Sequence, residues 1–316
     1  MSLSMNERAA ALVDALVADA DALGIEVHSL DSGARLVDCG AKARGGLQAG
    51  LGFAAACMGG LGRIDPVGVS VGERTWPGVA VAVDEPAAAC LAAQYAGWKL
   101  EHDDFFAMAS GPGRALARAE DLFEELAWKE RADQAVLCLE TKQQPPPEIV
   151  AKVADRCGVK PSAITFLIAR TASICGSVQI SARVVETALH KLHELGVDPA
   201  RVRNGWGCCP LAPVAKDDPA AIGRTNDAVL YGGTVHLWIE GPDGEVADLA
   251  QRLPSAASDA FGTPFGELLA AADWNFYDID PLLFSPAAVT LTSTESGRAH
   301  HGGKLAPDVL ERSFQR

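Results

Sequence analysis

The 316-residue chain is 48% hydrophobic and 22% charged, and its 27 basic against 41 acidic side chains give a formal charge of −14. With 31 Gly and 18 Pro it is neither disordered, collagen-like nor coiled coil, and at about 150 residues per domain its length fits one large unit or two moderate ones. So acidic a chain without a basic run lacks the footprint of a nucleic-acid or anionic-membrane binder, and its longest apolar stretches fall short of the roughly 18 residues of a membrane helix.

Asn6–Leu23 repeats small apolar residues at helical spacing, with Asn6 as the expected N-cap. Glu26–Asp38 alternates and predicts a hairpin turning at Asp31-Ser32-Gly33. Gly40–Gly62 is glycine-studded, helix or buried loop; Val67–Gly72 and Val79–Val83 read as strands, and Pro86–Ala96 as a helix. Leu122–Lys129 reads as a short helix, Ala135–Leu139 as a buried strand, Glu148–Cys157 as a helix and Ile164–Ile168 as a strand. Ser177–Leu195 is the strongest helix, with Val178, Ala182, Val185, Leu189 and Leu192 as its apolar stripe and Gly196 as its stop. Val229–Ile239 reads as one long strand, Val246–Leu253 and Pro264–Ala271 as helices, Val289–Thr294 as a strand and Ala306–Phe314 as a terminal helix. Strands and helices mix without a βαβ period, which predicts an α+β (irregular α/β) fold. The stretch 143–148 is the best candidate for an internal boundary. The amino-terminal ten residues carry charges and no apolar core, unlike a secretory signal, so a cytoplasmic enzyme is expected.

Eight cysteines, at 39, 57, 90, 138, 157, 175, 208 and 209, are scattered through apolar segments, as buried free thiols are. Cys208–Cys209 has no companion pair at zinc spacing, so no metal site is expected.

Arg183 and Glu186 stand three apart on the strongest helix. A rotation of roughly 300° puts them on one face, away from the apolar stripe. A solvated ion pair would have the same spacing. Upstream, the small and polar run Ala169–Gln179 (ARTASICGSVQ) would let a ligand approach closely, with Gln179 in the first turn of the helix. Met108–Arg114 (MASGPGR) is a turn that can offer the backbone N–H groups of Ser110 and Gly111 to an anion, or a plain tight turn. Trp206–Pro213 and Gly223–Asp227 read as a long polar loop, Asp38-Cys39-Gly40 as a glycine-rich ligand wall or a turn, and His300-His301 as an exposed turn. Glu140 follows a buried strand, where a carboxylate can face a ligand or solvent. No P-loop, dinucleotide fingerprint, nucleophile elbow or HExxH is present.

In chain order, Val37–Gly40 (VDCG), Cys57–Leu61 (CMGGL), Ala96–Trp98 (AGW), Phe106–Leu116 (FAMASGPGRAL) and Thr171–Glu186 (TASICGSVQISARVVE) form a distinctive set. Gly223–Asp227 (GRTND), Pro264-Phe265, Phe276–Pro286 (FYDIDPLLFSP) and Gly302–Leu305 (GGKL) complete it. The set spans nearly the whole chain and resembles the methenyltetrahydromethanopterin cyclohydrolase family.

The resemblance implies two α/β lobes around a V-shaped cleft, assembled as a homotrimer. It implies hydrolysis of a methenyl-tetrahydromethanopterin to its formyl form, with no metal and no cofactor beyond the pterin carrier, within one-carbon metabolism and formaldehyde oxidation. The family's Arg and Glu pair matches Arg183 and Glu186 as the catalytic residues, and its strand-end carboxylate matches Glu140. The carrier brings its own carboxylates and phosphate. Tyr95 stands before AGW where relatives place a Lys that contacts substrate, and Arg170 stands where Pro is expected before TAS. Two other readings remain open on the residues alone. One is a pterin- or nucleotide-binding protein without catalysis; the other is an amide hydrolase using Cys175 or Cys208.

Overall fold

The computed structural model describes residues 4–275 and 278–315. Phe276 and Tyr277, which open the matched 276–286 stretch, lie outside the described residues, as do Met1–Leu3 and Arg316.

The elements run in chain order α1 (Met5–Ala18), α2 (Ala20–Leu23), β1 (Glu26–Ser29), β2 (Arg35–Gly40), α3 (Leu47–Cys57), β3 (Gly62–Val71) and β4 (Arg74–Val83). A π-helix (Ala87–Gln94), β5 (Trp98–His102), β6 (Phe105–Ser110), α4 (Gly113–Ala117), α5 (Leu122–Glu125), β7 (Ala135–Glu140), α6 (Pro147–Cys157), β8 (Ile164–Ala169) and α7 (Ile174–Ser181) follow. The carboxyl half adds α8 (Val184–Glu194), β9 (Val202–Pro210), α9 (Asp218–Gly232), β10 (Thr234–Ile239), α10 (Asp243–Arg252), α11 (Phe265–Ala271), β11 (Ala288–Ser293), β12 (Ala299–Gly303) and α12 (Pro307–Phe314).

These make an α+β fold of two compact units. The first comprises 1–62 and 88–179, the second 63–87 and 180–316. The stretch 143–148 lies inside the first unit, and the chain passes between units at 62/63, 87/88 and 179/180.

The first unit is built on a six-stranded mixed sheet in the order β1-β2-β8-β7-β6-β5, in which β2, β8 and β7 are parallel neighbours. Alternate residues of those three strands feed two cores. Leu36, Leu137, Leu139, Phe166 and Ile168 meet Ile149, Val150 and Val153 of α6 on one face. Val37, Cys39, Val136, Cys138 and Leu167 meet Ala9, Val13 and Leu16 of α1 and Phe53 of α3 on the other. Strands covered on both faces read as continuous apolar runs, which is why Ala135–Leu139 and Ile164–Ile168 were legible.

The second unit holds the sheet β12-β11-β10-β9-β4-β3. Close glycine contacts seat helices on it. A Cβ on Gly207 would lie 2.9 Å from Val184 Cγ1, and one on Gly205 would lie 2.7 Å from Val185 Cγ1, so α8 sits hard against β9.

Several elements differ from the sequence expectations. Ser4, not Asn6, caps α1 and accepts from Glu7 N–H. Asn6 is buried instead, with its amide on Pro112 O and Val136 N. The 86–96 helix is a π-helix, and the 122–129 helix shrinks to α5. Trp206–Pro210 is part of a strand rather than a surface loop, and His300 and His301 sit in β12. Gly223–Asp227 lies inside α9, which also takes Val229–Gly232 from the expected long strand. Asp217, whose side chain accepts Ala220 N–H, and Pro219 in the first turn are the start signals that mark this helix.

Candidate active site

The expected helix 177–195 is broken. α7 ends at Ser181 and α8 begins at Val184, so Arg183 is the N-cap of α8 rather than an interior residue. Arg183 N–H donates to Ile180 O, and its carbonyl accepts from Thr187 N–H and Thr187 Oγ1 at 2.8 Å each. No Pro or Gly marks the break. It falls beside the 179/180 passage between units, which local periodicity does not show. The pairing of Arg183 with Glu186 survives it: Arg183 Nη1 lies 3.8 Å from Glu186 Oε2, with their side chains only 15% and 8% exposed. Glu186 stands in the first turn of α8, where the helix dipole favours a negative charge. A mostly buried carboxylate beside a guanidinium is a different object from a solvated surface pair.

In the first unit, Glu140 ends β7 and Gln179 lies near the end of α7, not in a first turn. Gln179 Nε2 donates to Glu140 Oε2 at 2.8 Å, and Thr171 Oγ1 donates to Glu140 Oε1. Thr171 belongs to the matched TAS segment but had no role assigned from sequence. Its hydroxyl and the buried Gln179 amide fix the carboxylate through two neutral donors.

Of Ser110 and Gly111, the glycine N–H serves the fold. Both are buried; Gly111 has φ +96° and its N–H donates to Ala93 O at 2.8 Å, so that group is spent on the fold rather than offered to an anion. A Cβ there would lie 3.0 Å from Val136 O, and only glycine combines this φ with so close an approach.

The residue that sequence reading missed in this turn is Arg114, fully buried. Its Nη1 donates to Leu91, Ala92 and Ala93 carbonyls at 3.0–3.4 Å, its Nε to Glu120 Oε1 at 2.9 Å, and its Nη2 to Glu120 Oε2. The carbonyls are those at the end of the π-helix, so Arg114 closes that helix. Tyr95 follows it directly, half-buried, with its ring centroid 5.2 Å from the Arg114 guanidinium carbon. The GRTND segment is likewise structural in part: Asp227 is buried and accepts Phe265 N–H at 2.7 Å, which anchors the start of α11.

Asp38 is the anchor of the loop after β2. Its buried carboxylate accepts the N–H groups of Gly40, Ala41, Lys42 and Ala43 at 2.6–3.1 Å.

The cysteines do not suit nucleophilic chemistry. Cys175 is fully buried and burial pushes its thiol well up; the same cause raises Cys39 to about 12 and also raises the half-buried Cys208. Thiols held protonated are poor nucleophiles. Among the described residues, no group of three or more His, Cys, Asp or Glu is placed to hold a metal ion, and no helix is long and apolar enough to cross a membrane.

The chain matches the model of the family described as "Cyclohydrolase (MCH)" over residues 4–314. It is similar to the methenyltetrahydromethanopterin cyclohydrolase of Methylobacillus flagellatus, 48% identical over 312 residues that cover 98% of this chain and 95% of the relative. The protein of the same name from Xanthobacter autotrophicus is 48% identical over 314 residues, covering 99% and 93%. That from Methanospirillum hungatei is 39% identical over 313 residues, covering 99% of each chain. Matched from end to end by the family model and by these relatives, the chain belongs to the methenyltetrahydromethanopterin cyclohydrolase family.

Proposed function

We propose that the protein hydrolyses 5,10-methenyltetrahydromethanopterin, or a close analogue, to the 5-formyl compound, with Glu186 as general base and acid and Arg183 as the residue that orients it. The observation that carries the reading is the shielded Arg183–Glu186 pair at 3.8 Å, in a chain matched throughout by relatives bearing that name. The methenyl carbon lies between two nitrogens that share a positive charge, so it is electrophilic without a Lewis acid, and the reaction needs no cofactor beyond the carrier. Water adds to that carbon as Glu186 accepts a proton. The C–N bond to one ring nitrogen then breaks, Glu186 returns its proton to that nitrogen, and the hydroxyl proton leaves to solvent. The formyl group remains on the other nitrogen. Glu140, held by Thr171 and Gln179, supplies a fixed negative charge toward the cationic substrate. Tyr95 takes the position of a substrate-contacting side chain. A homotrimer in the cytoplasm is part of the same proposal.

The test is loss of the methenyl absorbance on mixing substrate with protein. Wild type bleaches it catalytically, while Glu186→Gln retains substrate binding and loses about 10²–10⁴ in kcat, the range that general acid–base catalysis supplies. Unchanged turnover in Glu186→Gln removes this residue from the mechanism. Binding without bleaching by wild type would favour a non-catalytic pterin-binding protein.

A further inference from the structure

Two matched segments of the first unit, the GPGR turn and AGW, converge on a buried ion pair that takes no part in the proposed reaction. The backbone around it has two uncommon features. The first is the π-helix Ala87–Gln94; such helices are rare and recur at functional sites. Tyr95 N–H reaches back five residues to Cys90 O at 2.7 Å to continue it. The second is Arg118, a non-glycine residue in the left-handed region at φ +44°. Backbone of this kind persists only where its surroundings over-determine it.

Arg114 is the centre that both features serve. Its guanidinium carbon lies 5.2 Å from the ring centroid of Tyr95 and 5.4 Å from that of Phe123. Its Nη1 takes the carbonyls of Leu91, Ala92 and Ala93 at the end of the π-helix. Arg118 in turn donates to Phe123 O and lies 5.5 Å from the Phe123 ring.

Glu120, on the same stretch as Arg118 and Phe123, grips the guanidinium at two points. Its Oε1 accepts from Nε at 2.9 Å and its Oε2 from Nη2. A two-point grip fixes the plane of the guanidinium as well as its place. Glu120 also reaches AGW. A Cβ added to Gly97 would overlap Glu120 Oε2 and lie 2.6 Å from Tyr95 Cε1. The carboxylate, the glycine and the edge of the Tyr95 ring are therefore packed together with no room for a side chain. Tyr95 is confined by Arg114 and by Gly97 backed by Glu120, yet stays only half-buried.

We infer that Glu120 is a positioning residue for the proposed reaction: through Arg114 and against Gly97 it holds the ring of Tyr95 in the orientation that meets the carrier. The inference rests on the proposed contact between Tyr95 and substrate. A ring that is already held costs little to order when the carrier binds, and releasing it restores that cost. The loss falls on KM and leaves the proton exchange at Glu186 as it was.

Two variants test this. Glu120→Asp keeps the charge that Arg114 needs and retracts the carboxylate by one methylene. Gly97→Ala keeps every charge and wedges a methyl group between carboxylate and ring. Each is expected to raise KM for methenyltetrahydromethanopterin about three- to tenfold, the cost of ordering one side chain, with kcat changed less than about twofold. In a Tyr95→Ala background, where KM is already raised, neither raises it further, because the ring through which they act is gone. In parallel, 3-fluorotyrosine is incorporated at the three tyrosines, and the ¹⁹F signal of residue 95 is assigned through Tyr95→Phe. That signal moves in both variants. A wild-type KM in both variants, an undiminished effect in the Tyr95→Ala background, or an unmoved fluorine signal overturns the proposal. A wild-type KM in Tyr95→Ala itself, or no hydrolysis by wild type, refutes instead the reading on which the proposal rests. The fluorine signal then decides alone whether Glu120 orients the ring.

Discussion

Replacing Arg114 tests whether the guanidinium closes the π-helix that leads to Tyr95. Arg114→Met keeps the length and most of the volume, and removes this donor from Glu120 and from the carbonyls of Leu91 and Ala92, while Ala93 O keeps the Gly111 N–H. Glu120 is only 13% exposed, so water replaces little of what it loses. Breaking a buried pair from one side costs about 3–5 kcal/mol, and the orphaned carbonyls add to this. Methionine packed between the rings of Tyr95 and Phe123 restores about 1–2 kcal/mol of burial. The expected net loss is about 4 kcal/mol. Arg114→Lys keeps the charge but not the fork, and is expected to lose about half as much. A two-unit chain can unfold in stages, so the assay is amide hydrogen exchange within the first unit. Tyr95 N–H, which donates to Cys90 O at 2.7 Å across the π-helical turn, is the reporting group. Exchange at Tyr95 in Arg114→Met that matches wild type, or equal losses from Lys and Met, would refute the assignment.

Lys191 is 1% exposed with Nζ 2.9 Å from Pro254 O, and burial lowers its ammonium to about 8, opposed in part by Asp280. Between about pH 8 and 10.5 the unfolded chain holds this proton and the folded chain does not, so stability rises with pH across that window. The stability of wild type relative to Lys191→Met should improve by about 3 kcal/mol from pH 8 to 10.5 in urea titrations; a constant difference would exclude a buried titrating lysine. Glu140→Gln, whose amide can still meet the Thr171 hydroxyl, is expected to keep stability within about 1 kcal/mol and to raise KM for the cationic substrate about tenfold. Steady-state kinetics would count against an electrostatic role if KM stayed at the wild-type value.

What could be read from the sequence follows from where the physical cause lies. β7 and β8 are buried on both faces, so their apolar runs identify them without any partner. The β1–β2 hairpin carries its own turn. The β5–β6 hairpin also carries its own signal, since Trp98, Leu100, Phe105, Ala107 and Ala109 alternate inward. Other features have non-local causes. The break at Ala182-Arg183 has no Pro or Gly to announce it and lies beside the passage between units, and the buried Arg114 is held by Glu120 and three π-helix carbonyls that converge on it. Arg183 and Glu186 were found because three-residue spacing survives the helix break.

The two carboxylates named from sequence are distinguished by their donors. Both oxygens of Glu140 accept from neutral groups, a hydroxyl and an amide, which hold the side chain still without cancelling its charge. Such a group is suited to stand as a permanent anion opposite a cation. Glu186 has a guanidinium at 3.8 Å, longer than a direct hydrogen bond, at the amino end of a helix. That cation opposes the same charge that Glu186 would offer a substrate, so Glu186 is the weaker electrostatic partner of the two. In the proposed reaction its part is to exchange a proton, with Arg183 keeping it in place through both halves of the transfer. Under that proposal, environment divides two chemically similar acids between binding and catalysis. The net charge of −14 is a property of the surface as a whole and says little about either. A carboxylate held still at Glu140 by two neutral donors is what the cationic reacting centre of the proposed substrate would require, whatever the sign of the surface around it.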